Sequence, residues 1–554
     1  MASVTPIIES ASVERATQNL VQVAAQACAS HANRIAFTCL NADLSFRDLD
    51  ALSSDFAHWL LQQQLQSGDR VALLLPNLLQ YPVAALGVLK AGGVIVNMNP
   101  LYTALELERQ LNDAGVRILV VSANTAHVAA RVIAATPVEQ VVVTEIGDLH
   151  PWYRRIPLNL GLRYLKKVVL PYAFPVQISF RQVLTLGRTA GKAGQSALPE
   201  LPLEALAVLQ YTGGTTGRAK GAMLSHFNLA SNILQLISAL SAQLPPPGAV
   251  MVAPLPLYHI YAFTMNFLTG IALGHHTLLI PNPSDIPAFV RALQSCRING
   301  FAGINTLYKA LCGNADFCAL DFSALQISCS GGMALEPQIA KRWLELTGSI
   351  VLEGYGLTEC APLVTCNRPD IQRAGTVGIP VSGTSVVVMD PNGHILPPGT
   401  AGEVCIKGPQ VMQGYWLQPE ETTWTFDADG WLHSGDIGMF DADGFLRIVD
   451  RIKDLIIISG FNVYPNEIEE YVCAHPEIAE AAVIGTGDEY AARVTLFVVR
   501  RNPTLTKEHV IAWCREGLAP YKVPKVIEFR DSLPKSNVGK VLRRELRMKP
   551  GDLS

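Results

Sequence analysis

The sequence predicts an α/β protein. A large N-terminal domain of two mixed or parallel αβα-type subdomains, with a small β-rich subdomain, is followed by a small α+β domain. Three observations point there. Apolar strand-like runs alternate with helix-like segments through most of the chain, the pattern of parallel sheets covered by helices. Turn signals crowd together after Asp390, and mixed helix and strand patterns return behind a charged junction at Asp450-Arg451-Ile452-Lys453-Asp454. At 554 residues the chain is also too long for one core, because single cores stop growing at roughly 250–300 residues.

Taken in order, residues 71–75, 94–96 and 118–121 read as strands, and 82–90 as a helix between the first two. Residues 205–209 form a further apolar strand that runs into a Gly/Thr-rich loop. Between 391 and 450, Pro391-Asn392-Gly393, Pro397-Pro398-Gly399, Asp429-Gly430 and Asp443-Gly444 mark turns around short strands such as 403–406 and 445–449, which makes this part β-rich. The charged junction divides the chain into 1–452 and 453–554. Beyond it, helices are expected at 466–475 and 507–518, and strands at 481–484 and 494–499. The stretch 151–181 mixes aromatics, Arg/Lys pairs and apolar residues without a strict helical period. It reads as a surface insertion, and more sharply as an interfacial membrane contact through Arg154, Arg155, Lys166 and Lys167.

Bulk numbers exclude more than they assign. With 49% hydrophobic and 16% charged residues the chain should fold, and a net charge of −4 gives no reason to expect a nucleic-acid partner. Eleven dispersed cysteines without a C-x-x-C pair fit free thiols in a reducing compartment. No secretory leader and no apolar run of roughly 18 residues is seen. The expected location is cytoplasmic, or peripheral on the inner face of the cell membrane. The oligomeric state stays open, a homodimer among the options.

The clearest chemical pattern is Tyr211-Thr212-Gly213-Gly214-Thr215-Thr216-Gly217-Arg218-Ala219-Lys220-Gly221. Glycines let backbone N–H groups approach an anion, threonines add hydroxyl donors and Lys220 adds a positive charge, a suitable cradle for a triphosphate. It is not a Walker A loop, since Lys220 is followed by Gly221 rather than Ser or Thr. A plain Gly/Thr-rich surface loop is the competing reading. Glu353-Gly354-Tyr355-Gly356-Leu357-Thr358-Glu359 places a ring able to lie on a purine between two glycines, and in Glu359 a hard oxygen suited to Mg²⁺. Without other context, a Gly-Tyr-Gly turn would be the default there. In isolation the Gly435-Asp436 pair reads as a turn, Arg451 as a solvated charge, and the basic stretch from Lys535 to Arg544 as a solvated face.

Together, in this order over nearly the whole chain, these segments resemble the adenylate-forming superfamily of acyl-CoA synthetases, luciferases and peptide-synthetase adenylation domains. The resemblance implies ATP and CoA as co-substrates and Mg²⁺ as cofactor. It puts Tyr211, Thr212, Gly213, Gly214, Thr215, Thr216, Gly217 and Lys220 at the nucleotide as its phosphate loop, with Thr215 and Glu359 at the metal. It also puts Gly332, Gly354, Tyr355, Gly356 and Thr358 around the adenine, and Asp436 and Arg451 at the ribose. Lys540 in Pro534-Lys535-Ser536-Asn537-Val538-Gly539-Lys540 matches the family's adenylation lysine. Lys453 matches the pivot of a mobile C-terminal domain, and Ser459-Gly460-Phe461 the strand lining the CoA pantetheine tunnel. His259 and Tyr258 in Pro254-Leu255-Pro256-Leu257-Tyr258-His259-Ile260-Tyr261 resemble the acyl pocket, with His259 near the reacting carboxylate.

The nearest likeness is to bacterial long-chain fatty-acid–CoA ligases, on close versions of YTGGTTGRAKGAML, PLPLYHI, GYGLTECAPLV, ISGFNVYPNEIE and LPKSNVGK. The implied activity activates a fatty acid to acyl-AMP with loss of pyrophosphate, then passes the acyl group to CoA. Ala219 stands where the wider superfamily commonly has proline, and Ser434 where many relatives have threonine. Neither change removes a group the chemistry needs. A medium-chain or aryl acid ligase would use the same machinery. An inactive adenylate- or acyl-binding regulator is the alternative from another class.

Overall fold

The computed structural model describes residues 8–9, 16–194, 197–212, 219–458, 461–486, 493–536 and 539–547. Its frame is three large sheets, with two smaller ones towards the C-terminus. The first has seven strands, ordered Lys220–Ser225, Leu206–Thr212, Val94–Asn97, Arg70–Leu74, Ile118–Ser122, Gln140–Thr144 and Gln177–Ser179. All neighbours are parallel except the first two. Its central strands are buried runs of Val, Ile and Leu, the composition needed when helices cover both faces.

The second sheet has nine strands. Six run parallel: Val351–Gly356, Ile327–Ser330, Ile298–Gly303, Val250–Ala253, His276–Leu279 and Ile35–Cys39. Antiparallel strands flank them at both edges. Helix Pro337–Thr347 seals one face with Trp343, whose ring lies 4.6 Å from Tyr308 and 5.1 Å from Phe301. Trp343 Nε1 donates to Ser328 Oγ at 3.0 Å and Tyr308 O–H to the Cys329 carbonyl at 2.7 Å. These two bonds pin the end of the strand that leads into Gly331 and Gly332.

The third sheet is antiparallel, with strands Ile8–Glu9, Ser385–Met389, Gly402–Lys407, Leu432–Phe440 and Leu446–Arg451. It is the β-rich part, and it begins upstream of residue 391, because Pro391-Asn392-Gly393 closes a strand rather than opening the unit. Helix His226–Leu240 ties the sheets together through polar side chains. Asn228 Nδ2 donates to the carbonyls of Pro409 and Val411 at 2.8 Å each, and Asn232 to that of Leu363 at 2.9 Å. A buried amide left unpaired costs about 1–3 kcal/mol, so these bonds hold the neighbouring loops in register.

After Arg451 a single 3-10 turn, Ile452–Asp454, leads to the hairpin Ile456–Ile458 with Phe461–Val463. A three-stranded sheet, Ile478–Thr486, Arg493–Arg500 and Val526–Arg530, packs with helices Pro465–Cys473 and Lys507–Gly517 around a separate core that includes Ile468, Val483, Leu496 and Val510. The fold is therefore α/β, with a large N-terminal domain and a small C-terminal one. All eleven cysteines are free. Among the described residues no helix is long and apolar enough to cross a membrane.

The stretch 151–181 lies largely at the surface, as its sequence reading expects. It holds a helix, Trp152–Leu160, that continues through Pro157 into a π turn, Gly161–Leu165, with no side chain of either element buried. A helix that buries nothing needs no apolar periodicity, which is why the pattern was missing.

Candidate active site

Strand Leu206–Thr212 enters the Gly/Thr-rich loop and Lys220–Ser225 leaves it, with Lys220 opposite Thr212 and Gly221 opposite Tyr211. Gly213, Gly214, Thr215, Thr216 and Gly217 lie outside the described residues. At the loop's entrance the Tyr211 hydroxyl donates to Asp113. At its exit Lys220 is ion-paired with Glu421 and lies 5.3 Å above the Tyr415 ring.

Segment 412–416 is laid alongside this strand by the bonds Met223 N–H to the Gly414 carbonyl, 2.9 Å, and Trp416 N–H to that of Gly221, 2.8 Å. It carries Tyr415 to Glu359, whose Oε1 accepts from the Tyr415 hydroxyl at 2.7 Å. Glu359 sits in the 3-10 turn Thr358–Cys360, just beyond strand Val351–Gly356. Hard oxygen donors are what a magnesium ion requires. The Tyr415 bond orients the carboxylate and leaves its second oxygen without a partner among the described residues, so Glu359 fits such an ion.

Tyr355 is buried on the same strand, and its hydroxyl donates to Asp436 Oδ2 at 2.8 Å. The other oxygen of Asp436 pairs with Arg451 Nε at 3.1 Å, across adjacent strands of the third sheet. Beyond the neighbouring strand Ile327–Ser330, Gly332 adopts φ +78° with open space around it. Glu353, two residues before Tyr355, accepts from Leu335 N–H at 3.2 Å, and burial pushes its carboxyl up to about 7.

His259 and Tyr258 are positioned by a buried polar chain from the seven-stranded sheet. Tyr81 O–H donates to Asn97 at 2.6 Å, Asn97 to Gln210 at 3.0 Å, and Gln210 to the Tyr258 carbonyl at 2.9 Å. The His259 ring caps the following turn, its Nδ1 accepting from Tyr261 N–H at 3.3 Å. Burial first, then the Lys540 charge, lowers it to about 4, so the imidazole is neutral at physiological pH.

Lys540 belongs to the C-terminal domain, yet its ammonium lies within electrostatic reach of the cluster just described. Burial lowers it to about 8; Arg451 and Lys453 push the same way, while Asp436 and Glu359 oppose. A tight turn holds it, with Ser536 N–H donating to the Lys540 carbonyl at 2.7 Å. Lys453 is in the 3-10 turn between the domains, and burial lowers its ammonium as well.

The geometry thus gathers Tyr355, Glu359, Asp436, Arg451, His259 and Lys540 beside the two ends of the Gly/Thr-rich loop. Chain comparisons identify the assembly. The AMP-binding enzyme family model matches residues 24–416, and the model of the AMP-binding enzyme C-terminal domain matches 467–540. The chain belongs to the AMP-binding enzymes. Among curated members of the adenylate-forming superfamily, it is 48% identical to a long-chain-fatty-acid–CoA ligase of Escherichia coli O6:H1, over 96% of this chain and 94% of the relative. It is 44% identical, with the same coverage, to one from Haemophilus influenzae. Among solved structures, ATP-bound MatB from Rhodopseudomonas palustris is 31% identical with a TM-score of 0.79, covering 96% of this chain and 98% of that one. The anthranilate CoA ligase AuaEII with anthranoyl-AMP shares the fold at a TM-score of 0.83 and 24% identity, over 99% and 98% of the chains.

For this AMP-binding enzyme, sequence reasoning missed Tyr415, Glu421 and Asp113. Each acts on a motif residue from a distant part of the chain, so no local spacing could reveal it. Of the residues matched to CoA, Ser459 and Gly460 lie outside the described set; the backbone of Phe461 opens the second strand of the hairpin, paired with Ile458.

Proposed function

We propose that this enzyme is a long-chain fatty-acid–CoA ligase, carried by one observation: Lys540 of the small domain faces Glu359, Asp436, Arg451 and His259 of the large one. In the first step a carboxylate oxygen of the fatty acid attacks the α-phosphorus of ATP, the bond to the bridging oxygen breaks, and pyrophosphate leaves. Negative charge grows on the α-phosphoryl oxygens, and the Lys540 ammonium stabilises it. Neutral His259 approaches the incoming carboxylate without neutralising it as an ion pair would, and Tyr258 borders the acyl chain. Asp436 exchanges its bonds with Arg451 and Tyr355 for the ribose hydroxyls. Gly332, Gly354, Tyr355, Gly356 and Thr358 surround the adenine, and Thr212–Gly217 with Lys220 bind the phosphates. Glu359, with Thr215, would hold Mg²⁺, which would neutralise phosphate charge.

In the second step the CoA sulfur attacks the acyl carbon, its proton passes to solvent, the bond from that carbon to the phosphate oxygen breaks and AMP departs. Lys453 is the pivot between domains 1–452 and 453–554, and Ser459, Gly460 and Phe461 line the CoA approach. The test is release of AMP and pyrophosphate by purified protein with Mg²⁺-ATP and acetate, octanoate, palmitate, oleate or benzoate, with and without CoA. CoA-dependent turnover favouring palmitate or oleate is expected. Turnover favouring octanoate or benzoate would overturn the long-chain assignment, and none with any acid would overturn the ligase.

A peripheral membrane contact through 151–181 is part of this proposal. Trp152, Tyr164 and Leu165 are 68%, 67% and 85% exposed, on a segment with six Arg or Lys and no acidic residue. Arg163 is paired with Glu145 at 2.5 Å, but exposed apolar side chains beside the remaining cations suit an anionic lipid surface. Replacing Arg155, Lys166 and Lys167 by Gln should weaken co-sedimentation with phosphatidylglycerol vesicles by about tenfold or more. Unchanged binding would remove the contact.

A further inference from the structure

One helix of the large domain, Asn305–Cys312, meets the small domain at two places. At its start, Gly539 comes so close that a Cβ there would lie 2.6 Å from Thr306 Oγ1. Gly539 also has φ +75°, a conformation that favours glycine, and it directly precedes Lys540. One turn further along the helix, Lys309 Nζ donates to the Ala479 carbonyl at 3.4 Å. Ala479 is available for this because strand Ile478–Thr486 bulges there. Ile478 pairs with Arg500 and Glu480 with Val499, which leaves Ala479 as the extra residue.

Lys309 does not reach across by chance. Glu336 accepts from its ammonium at 3.1 and 3.3 Å. Glu336 is itself fixed by Asn305, whose Nδ2 donates to its carboxylate at 2.9 Å and whose Oδ1 accepts from its N–H at 3.0 Å. Tyr308, buried next to Lys309, anchors the helix to its sheet. A rigid large-domain element therefore aims a charged donor at a small-domain carbonyl, and the contact lies away from the Lys453 pivot. Any rotation about that pivot that withdraws Lys540 carries Ala479 away from Lys309.

We infer that Lys309 is a positioning residue that docks the small domain in the orientation presenting Lys540 to the nucleotide. This rests on the proposed role of Lys540 in acyl-AMP formation. The contact is made in one orientation only, so it favours adenylation and must break before transfer to CoA.

The test uses full-length protein and measures the two half-reactions separately. These are palmitate-dependent ATP–pyrophosphate exchange and transfer to CoA from synthetic palmitoyl-AMP. Lys309→Met keeps the stem and removes the charge. It should slow exchange about fivefold with little change in the KM for ATP, while transfer is unchanged or faster. Lys309→Arg, which keeps a charged donor, should restore most of the exchange rate. An undiminished exchange rate, or equal losses in both half-reactions, would overturn the latch. Lys540→Ala run in parallel separates the two ideas, because exchange that survives it would overturn the reading on which the latch depends.

Discussion

Lys540→Ala should lower the rate of acyl-AMP formation by about 10²–10³-fold, the usual cost of removing a preorganised charge donor from a transition state. Transfer from preformed acyl-AMP should stay within about threefold of normal, since an interaction made only in the first transition state contributes nothing to the second. The surroundings of Lys540 add a pH signature. Burial and the neighbouring cations Arg451 and Lys453 lower its ammonium to about 8, against the partial support of Asp436 and Glu359. The active form is the charged one, and it is lost as pH rises through that value. Adenylation measured as kcat/KM for ATP reports the free enzyme, so it should fall above pH 8. With an ordinary lysine, near 10.4, the fall would begin about two units later. Lys540→Arg should be slower but lose this alkaline limb, because a guanidinium stays charged throughout the range. A wild-type profile flat to pH 10 would contradict the electrostatic account, and comparable loss in both half-reactions for Lys540→Ala would contradict its assignment to the first.

The chemistry-bearing residues were legible as separate words, but the grammar joining them was not. Local spacing is enough to mark strand Leu206–Thr212 and the glycines of the loop that follows it, whereas the acid in Gly435-Asp436 stands out only through the family resemblance. It cannot tell that the Tyr355 hydroxyl bonds to Asp436, that Tyr415 orients Glu359, or that Lys220 pairs with Glu421. Those partners lie far apart in the chain, on strands, turns and a helix that are brought together by buried ties such as Asn228 to the Pro409 carbonyl. Lys220 is the instructive case. A lysine after a glycine-rich loop reads as a phosphate ligand, and in the folded chain its charge is held by a carboxylate. Perturbed titration was equally hidden. Glu353 looks like any exposed acid until burial raises it to about 7, and His259 like any histidine until burial beside Lys540 lowers it to about 4. The limits of the β-rich part were misjudged for a simpler reason. A turn at Ser382-Gly383, with Gly383 at φ +71°, does mark the start of Ser385–Met389, but the denser cluster of turn residues after Asp390 drew the boundary past it.

Lys453→Pro should separate the two half-reactions in the opposite direction from Lys540→Ala. Lys453 is the second residue of the 3-10 turn Ile452–Asp454, where a backbone N–H has no acceptor within the turn. The φ near −65° that proline imposes is the value such a turn uses. The substitution is therefore compatible with the orientation in which Lys540 faces Glu359 and Asp436, and acyl-AMP formation should fall by no more than about threefold, allowing for the constraint proline places on Ile452. Rotation of the small domain is a different matter. On the C-terminal side of the turn Asp454 is bonded by both Arg543 and Arg547 at 3.1 Å, so it moves with the small domain. On the other side Asp450 accepts from Asn466 N–H at 2.8 Å, a bond between the two domains that a swing has to open. With Asp454 held to the small domain, the rotation has to be absorbed by a few backbone angles at the junction itself. Fixing φ at Lys453 removes the central one, and transfer to CoA should drop by about 100-fold, the order of loss that follows when a reacting group is kept from its partner. The variant should then accumulate bound acyl-AMP, measurable as a burst of pyrophosphate equal to one turnover even with CoA present. Normal steady-state thioester formation by Lys453→Pro would show that the domains move about some other point, or that CoA reaches the acyl carbon without a swing at all.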